Sequence, residues 1–218
     1  MKVNVIFLDY ERHDFTERVK QQNFNNAGHP FDVVILSMKG ISAAINEGIL
    51  RSHGYDAIVT MANDIIMPDN WLRNMVIAAQ SIPETGMCGI HCVEGLGTEE
   101  NYKGVAIHKA FTSFGNVLIP MNAIKRIGFF NEDYDPYGMN DADYAYRLNA
   151  TGFLNYYLAG MKAEHIGHDV GNGTEYRKMK DEGLNIAPAK WNEWTERYEQ
   201  TKDYTIFYKE WPTMDASI

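Results

Sequence analysis

The amino-acid sequence predicts an α/β fold built on a mostly parallel sheet that helices cover on both faces. Strand-like and helix-like segments alternate through about the first 80 residues, which is the pattern of βαβ units. The strand-like segments are continuous apolar runs, as expected of strands that are buried on both faces. Each run ends in polar residues, so the carboxyl ends of the predicted strands are polar.

The elements of this pattern follow one another in order. VNVIFLDY, at positions 3–10, is rich in β-branched residues and is expected to form the first strand. A helix is expected over 15–26, and FDVVILSM then predicts a second strand. ISAAINEGILRSHG repeats apolar residues at helical spacing and ends in glycine, which predicts a helix. YDAIVTMAND predicts the third strand, and PDNWLRNMVIAAQSI predicts a helix with Pro68 near its start.

Polar side chains gather where these three strands end. They are Asp9, Tyr10 and Glu11, then Ser37, Met38 and Lys39, and then Asn63 and Asp64. Because ligands bind at the carboxyl ends of the strands in open α/β sheets, we expect these groups to surround one crevice. The sequence therefore predicts a nucleotide site at this edge.

The second half of the chain is less regular. Residues 86–128 are expected to add strands and a short helix at the edge of the sheet. MNDADYAYRLNATGF, at 139–153, predicts a helix with Asn140 as its N-cap and Asp143 as a capping-box partner. Asp141 and Asp143 therefore have two interpretations, helix capping or chemistry.

Composition excludes several classes of protein. The chain has 218 residues, of which 45% are hydrophobic, and a formal net charge of −9. This charge argues against broad electrostatic binding to nucleic acid or anionic lipid. The apolar run at 3–8 is too short for a signal-peptide core, and no segment approaches the roughly 20 apolar residues of a membrane span. We therefore expect a cytoplasmic protein. Cys88 and Cys92 are expected to be free thiols rather than zinc ligands.

Four sequence patterns, in order along the chain, carry a resemblance to a known family. GISAAINEGI (40–49) is similar to an ARN.G pattern, with Asn46 and Gly48 matching. MANDIIMPDNWL (61–72) is similar to an acidic LDND....P.WL motif in which Asp64 matches, but Ala62 replaces the first aspartate. The third pattern, at 127–153, is similar to GGFDE.F..YGEDVDL..RL...GY, and Asp141 matches the first aspartate of its EDVD segment. The fourth is AEHIGH, at 163–168.

These patterns resemble the family-2 glycosyltransferases, inverting enzymes of the GT-A fold. The resemblance implies a GT-A-like three-layer α/β/α sandwich with a mostly parallel, Rossmann-like central sheet. It also implies transfer of a sugar from a nucleoside-diphosphate sugar to a hydroxyl acceptor. The acceptor is most simply a saccharide, and a hydroxylated DNA base is the second candidate, which the acidic net charge disfavours.

The resemblance also implies roles for individual residues. An inverting transfer needs a carboxylate to take the acceptor proton, and Asp141 occupies that position. A helix N-terminus would lower the pKa of Asp141 and burial would raise it, and the sequence leaves this balance open. Asp64, with His165 or His168, is expected to hold Mn²⁺ or Mg²⁺ beside the diphosphate.

The remaining expected contacts concern the two substrates. The residues expected to contact the nucleotide sugar are Asp9, Tyr10, Glu11, Ser37, Asn46 and Asn63. Those expected to contact the acceptor are Tyr137, Asn140 and Asp143.

One domain is expected over 1–218, with a nucleotide-sugar half (1–85), an acceptor and catalytic half (86–184) and an aromatic tail (185–218) that packs on or caps the site. Trp191, Trp194 and Tyr198 fit one helical face of that tail.

A binding module of the same fold without turnover is the alternative function, since Ala62 and other positions depart from the family pattern. A sugar-phosphate nucleotidylyltransferase is set aside because LDYERHD lacks a glycine-rich phosphate loop.

Overall fold

A central eight-stranded sheet organises the fold, and a two-stranded sheet lies beside it. The computed structural model describes residues 1–10, 13–92, 96–111, 116–167 and 175–207. The strands are β1 (Val3–Leu8), β2 (Asp32–Leu36), β3 (Ala57–Ala62), β4 (Ile65–Ile66), β5 (Thr85–Gly89), β6 (Glu99–Tyr102), β7 (Val105–Lys109), β8 (Val117–Pro120), β9 (Leu154–Leu158) and β10 (Glu164–His165). The helices are α1 (His13–Asn25), α2 (Ile41–Leu50), α3 (Trp71–Ser81), α4 (Met121–Ile127), α5 (Asn140–Ala150) and α6 (Glu175–Thr201), and a 3-10 turn spans Glu132–Tyr134.

Six strands of the large sheet run in one direction, which confirms the predicted mostly parallel sheet. The strand order is β2-β1-β3-β8-β5-β9-β7-β6. β1 is parallel to β2 and β3, and β5 is parallel to β9. Of the eight described strands, β8 and β7 run the other way, since both are antiparallel to their neighbours. The reversed strands lie in the less regular second half of the chain.

Two apolar layers cover the sheet, as the three-layer prediction requires. Val5 and Phe7 of β1 pack on one face, in a cluster that includes Trp71 of α3. Ile6, between them in sequence, points to the other face and packs with Ile45 of α2. Because side chains alternate across a strand, one continuous apolar run fills both layers.

The start of α5 differs from the predicted cap. Asn140 is the first residue of the helix and not its N-cap, and the preceding Met139 lies at φ 60° without a side-chain capping bond. The predicted capping box between Asn140 and Asp143 is therefore wrong. Asp143 instead points into the core, where Arg147 and Tyr198 each donate a hydrogen bond to one of its carboxylate oxygens.

Helix α6 begins at Glu175 and runs through the expected boundary at residue 185. Its aromatic face packs on the rest of the chain: Tyr198 is buried, and Trp194 Nε1 donates to Asp133 Oδ2 at 3.0 Å. Among the described helices, none combines the length and the apolar character that crossing a bilayer requires.

Candidate active site

A cavity of about 1370 Å³ opens where β1 and β3 end, and it contains the central pair of predicted residues. Leu8 and Ala62, the last residues of β1 and β3, both line it. Asp64 and Asp141, which are 77 positions apart in the sequence, line the same cavity. The fold therefore brings the predicted metal ligand and the predicted base to one place.

The small sheet holds His165 beside Asp64. β4 follows Asp64 directly and pairs antiparallel with β10, with His165 opposite Ile65. The backbone N–H of Ile166 donates to the carbonyl oxygen of Asp64 at 2.9 Å. This pairing leaves His165 Nε2 at 3.2 Å from Asp64 Oδ2. Both side chains are partly exposed, so both can reach a ligand in the cavity.

The Asp64–His165 pair has the donor chemistry of a divalent-cation site. A carboxylate oxygen and an imidazole nitrogen are both ligands that Mn²⁺ accepts. Within the described ranges, no group of three or more His, Cys, Asp or Glu side chains is arranged to hold a metal. Two protein ligands fit an ion whose remaining positions are filled by phosphate oxygens and water. His168, the other predicted ligand, and Glu11 lie outside the described residues.

Asp141 has a pKa suited to a general base. It is the second residue of α5, and its Oδ1 accepts from the N–H of Ala142 at 2.9 Å. Burial raises the pKa of Asp141 to about 6, while that hydrogen bond opposes the rise. The balance that the sequence left open is therefore decided by desolvation.

Tyr137 and Asn140 line the cavity beside these acids. Burial raises the pKa of Tyr137 to about 12, and the negative charges of Asp141 and Asp64 add to this rise. The Tyr137 phenol therefore lies within electrostatic reach of both carboxylates. The Lys180 ammonium of α6 lies 4.7 Å from the centroid of the Tyr137 ring.

Asp143 does not share the cavity with Asp141. It is fully buried, Arg147 Nε donates to its Oδ2 at 2.8 Å, and Tyr198 Oη donates to its Oδ1 at 2.9 Å. Arg147 also donates to the carbonyl oxygens of Ile127 and Phe129. The structure does not bring Asp143, a predicted acceptor contact, to the cavity, because both of its oxygens are engaged in the core.

Asn46 is also engaged away from the cavity. Its Nδ2 donates to the carbonyl oxygen of Phe130 and to Glu132 Oε1, both at 2.9 Å. Its Oδ1 accepts from the N–H of Phe130 at 2.8 Å. Asn46 therefore joins α2 to the loop before the 3-10 turn, and the structure does not place this predicted nucleotide-sugar contact on the cavity lining.

The polar strand ends divide into a lining group and a supporting group. Tyr10, Met38 and Asn63 line a second, smaller cavity of about 90 Å³, which shares Asp64 and Tyr137 with the larger one. The smaller cavity occupies the predicted nucleotide edge of the sheet.

Asp9 supports this edge without lining either cavity. Burial would raise the pKa of Asp9, but hydrogen bonds from Thr16, His13 and Asn63 outweigh burial and lower it. The ionised Asp9 carboxylate therefore positions Asn63, whose Nδ2 donates to it at 3.2 Å. Ser37 is exposed and lines neither cavity.

Sequence reasoning missed the contribution of two lysines and of the first half of α6. Lys162, just before β10, and Lys180 both line the large cavity and place positive charge near its acids. Leu184, one helical turn after Lys180, lines it as well. The spacing of Lys180 and Leu184 places both on one helical face, but their sequence carries no motif that would have pointed to the site.

Comparison with solved structures shows a GT-A-like glycosyltransferase fold. GalNAc-T7, solved with UDP, GalNAc and Mn²⁺, matches at TM-score 0.62 and 9% identity over 76% of this chain and 44% of that one. The Drosophila beta1,4-galactosyltransferase 7 catalytic domain, solved with xylobiose, matches at TM-score 0.59 and 13% identity over 82% and 78% of the two chains. S. aureus TarS, solved with UDP, matches at TM-score 0.52 and 12% identity over 75% and 59%.

This chain thus spans less than half of GalNAc-T7, and at such identities the likeness concerns the fold. No protein-family model and no curated protein matches the sequence.

Proposed function

We propose that this protein is a metal-dependent inverting glycosyltransferase that resembles family 2 and moves a sugar from a nucleoside-diphosphate sugar to a hydroxyl acceptor. The observation that carries the proposal is the placement of Asp141 and of the Asp64–His165 pair on one cavity at the carboxyl ends of β1 and β3. The fold neighbours that were solved with UDP and Mn²⁺ support the same class of donor.

Asp141 acts as the general base. The acceptor oxygen forms a bond to the anomeric carbon while the bond from that carbon to the diphosphate oxygen breaks, and the acceptor proton passes to the Asp141 carboxylate. A single displacement of this kind inverts the anomeric centre. A pKa of about 6 suits the role, because the carboxylate is mostly ionised near neutral pH and is still basic enough to take a proton.

Asp64 and His165 hold the diphosphate end of the donor. They would bind Mn²⁺ or Mg²⁺ together with the phosphate oxygens, and the bound ion supplies charge stabilisation for the leaving diphosphate. Lys162 and Lys180 line the same cavity, and their positive charge favours an anionic ligand there. Tyr10, Met38 and Asn63 line the adjoining small cavity, to which we assign the nucleoside.

A binding module without turnover is the second candidate, and Ala62 is the observation that favours it. Ala62 lines the cavity where the family pattern has an aspartate, and its methyl side chain cannot bind a cation, while its backbone N–H donates to Asn116 Oδ1 at 2.8 Å. The predicted cation site of this protein thus has one aspartate fewer than the acidic motif of the family pattern.

The two candidates are separated by measuring nucleoside diphosphate release from a panel of nucleotide sugars with Mn²⁺. We expect release with at least one donor, and a decrease of roughly 10²–10⁴-fold in Asp141→Asn, the range attributed to a general base. The exposed Asp69→Asn serves as the control and should keep the wild-type rate. Tight nucleotide binding without release from any donor would favour the binding module.

A further inference from the structure

The wall of the large cavity carries three large apolar side chains that are exposed. Phe111, Met139 and Leu184 are 54%, 37% and 46% exposed, and all three line the cavity. They come from three separate segments: the residues that follow β7, the residue that precedes α5, and the middle of α6. Single exposed apolar residues are ordinary, but a cluster that converges on one concave site marks a ligand surface.

Packing holds this wall in place. The Phe111 ring centroid lies 6.2 Å from that of Trp191 in α6 and 6.4 Å from that of Tyr146 in α5. Helix α6 approaches the cavity closely through Gly183, where an added Cβ would lie 2.3 Å from the carbonyl oxygen of Tyr137. Phe111 is therefore packed against α5 and α6, and α6 lies close to the loop that contains Tyr137.

The deep part of the cavity is apolar as well. Ile45, Met87, Val117 and Phe130 line it on the α2 and α5 face of the sheet. The Asp, Glu, Lys and His side chains that line the cavity, within the part of the chain that the structure describes, are Asp64, Asp141, Lys162, Glu164, His165 and Lys180, and Thr60, Tyr137 and Asn140 line it with uncharged polar groups. A saccharide needs hydrogen-bond partners along all its edges, because a buried hydroxyl without a partner is costly. Phe111, Met139 and Leu184 carry no hydroxyl, amide or charged group, so this wall offers a saccharide no such partners.

The cavity is also large. Its volume of about 1370 Å³ exceeds the roughly 300–1,000 Å³ of a typical small-molecule pocket. It therefore has room for a second substrate beside the donor sugar.

We infer that the acceptor carries its hydroxyl on an apolar body, aryl or alkyl, which packs on Phe111, Met139 and Leu184 and presents the hydroxyl to Asp141. This inference rests on the proposed function and names its acceptor class. It replaces the saccharide as the expected acceptor. It requires a small molecule, because the apolar wall lines the same cavity as the base.

The test is calorimetric titration of the full chain with 2-naphthol, 1-octanol and xylobiose, so that binding is read without turnover. We expect at least one of the two apolar alcohols to bind and xylobiose to bind at least tenfold more weakly. Leu184→Asn should raise the Kd of the apolar ligand by about tenfold. The ligand can cover only the exposed half of the Leu184 side chain, and the free energy of burying that half corresponds to roughly this factor in Kd. Phe111→Asn is the second variant and should act in the same direction.

Ile186→Asn is the matched control. Ile186 is 49% exposed on the same helix but does not line the cavity, so its substitution should leave the Kd within about twofold of wild type. Circular dichroism confirms that each variant is folded.

Three results would overturn the inference: tighter binding of xylobiose than of both alcohols, equal effects of Leu184→Asn and Ile186→Asn, or a wild-type dimer in light scattering that Leu184→Asn makes monomeric. Failure of the proposed function is seen separately, as the absence of nucleoside diphosphate release from every donor.

Discussion

Replacing Asp141 by asparagine should slow turnover by roughly 10²–10⁴-fold and at the same time stabilise the fold. The substitution keeps an oxygen that can accept from the Ala142 N–H, but it removes a charge that burial disfavours. The usual pKa of 3.8 rises to about 6 in the folded protein. Asp141 therefore keeps its proton to a higher pH in the folded protein than in the unfolded chain. As the pH rises above the unfolded-state pKa of 3.8, this difference lowers the free energy of unfolding of the wild type.

The size of the gain follows from this difference in pKa. Because of this difference, ionisation of Asp141 lowers the wild-type free energy of unfolding by at most about 3 kcal/mol at pH 7.5. At pH 4, where Asp141 is protonated in the folded state, the loss is only about 0.5 kcal/mol. The free energy of unfolding of Asp141→Asn should exceed that of the wild type by up to these amounts. This difference should grow as the pH rises from 4 to 7.5.

Urea unfolding at several pH values measures this gain, and nucleoside diphosphate release measures turnover in parallel. Below pH 6 the wild-type kcat/KM should fall toward a slope of about tenfold per pH unit, because the protonated acid cannot accept the acceptor's proton. Asp69→Asn, at an exposed carboxylate, should change neither quantity. A variant that loses both activity and stability would refute the reasoning, since Asp141 would then be a structural group. So would a wild-type rate that stays constant from pH 7.5 down to 5.

Three further substitutions test the site and the packing around it. Asp64→Asn should weaken Mn²⁺-dependent binding of UDP by at least tenfold in calorimetry, because a neutral amide is a poor ligand for a hard cation. Arg147→Met should lower the free energy of unfolding by roughly 3–5 kcal/mol in urea, since it leaves the buried Asp143 charge without its 2.8 Å partner. Gly183→Ala should cost about 1–3 kcal/mol and move α6 away from the cavity, because its Cβ would lie 2.3 Å from the Tyr137 carbonyl oxygen.

Each of these substitutions has a control in the chain. Asp69→Asn should leave UDP binding unchanged, since this carboxylate is exposed and does not line the cavity. Arg51→Met breaks a surface ion pair with Glu47 and should cost at most about 1 kcal/mol. Gly97→Ala has open space around its Cβ and should be nearly neutral. An Arg147→Met protein as stable as Arg51→Met, or a Gly183→Ala protein as stable as Gly97→Ala, would contradict the packing described above.

Part of the site could be predicted because it depends on local patterns. Polar residues at the ends of continuous apolar runs predicted where Asn63 and Asp64 would lie, since parallel strands end at one edge of the sheet. The direction of β8 and β7 could not be predicted in the same way, because the less regular segments around them form strands only through long-range pairing. The same limit applies to Lys162 and Lys180, which reach the cavity from segments without a motif.

Asp141 and Asp143 show what the sequence determined and what the tertiary structure decided. Two residues apart on a helix, they are separated by about 200° around its axis, so the sequence alone determines that they point to opposite sides. Only the tertiary structure decides which side is which. Arg147 and Tyr198 draw Asp143 into the core, and Asp141 is left facing the cavity with a pKa raised by burial. The reason is physical: the environment of each carboxylate is made by residues that only the complete fold brings close, while its direction on the helix follows from local geometry.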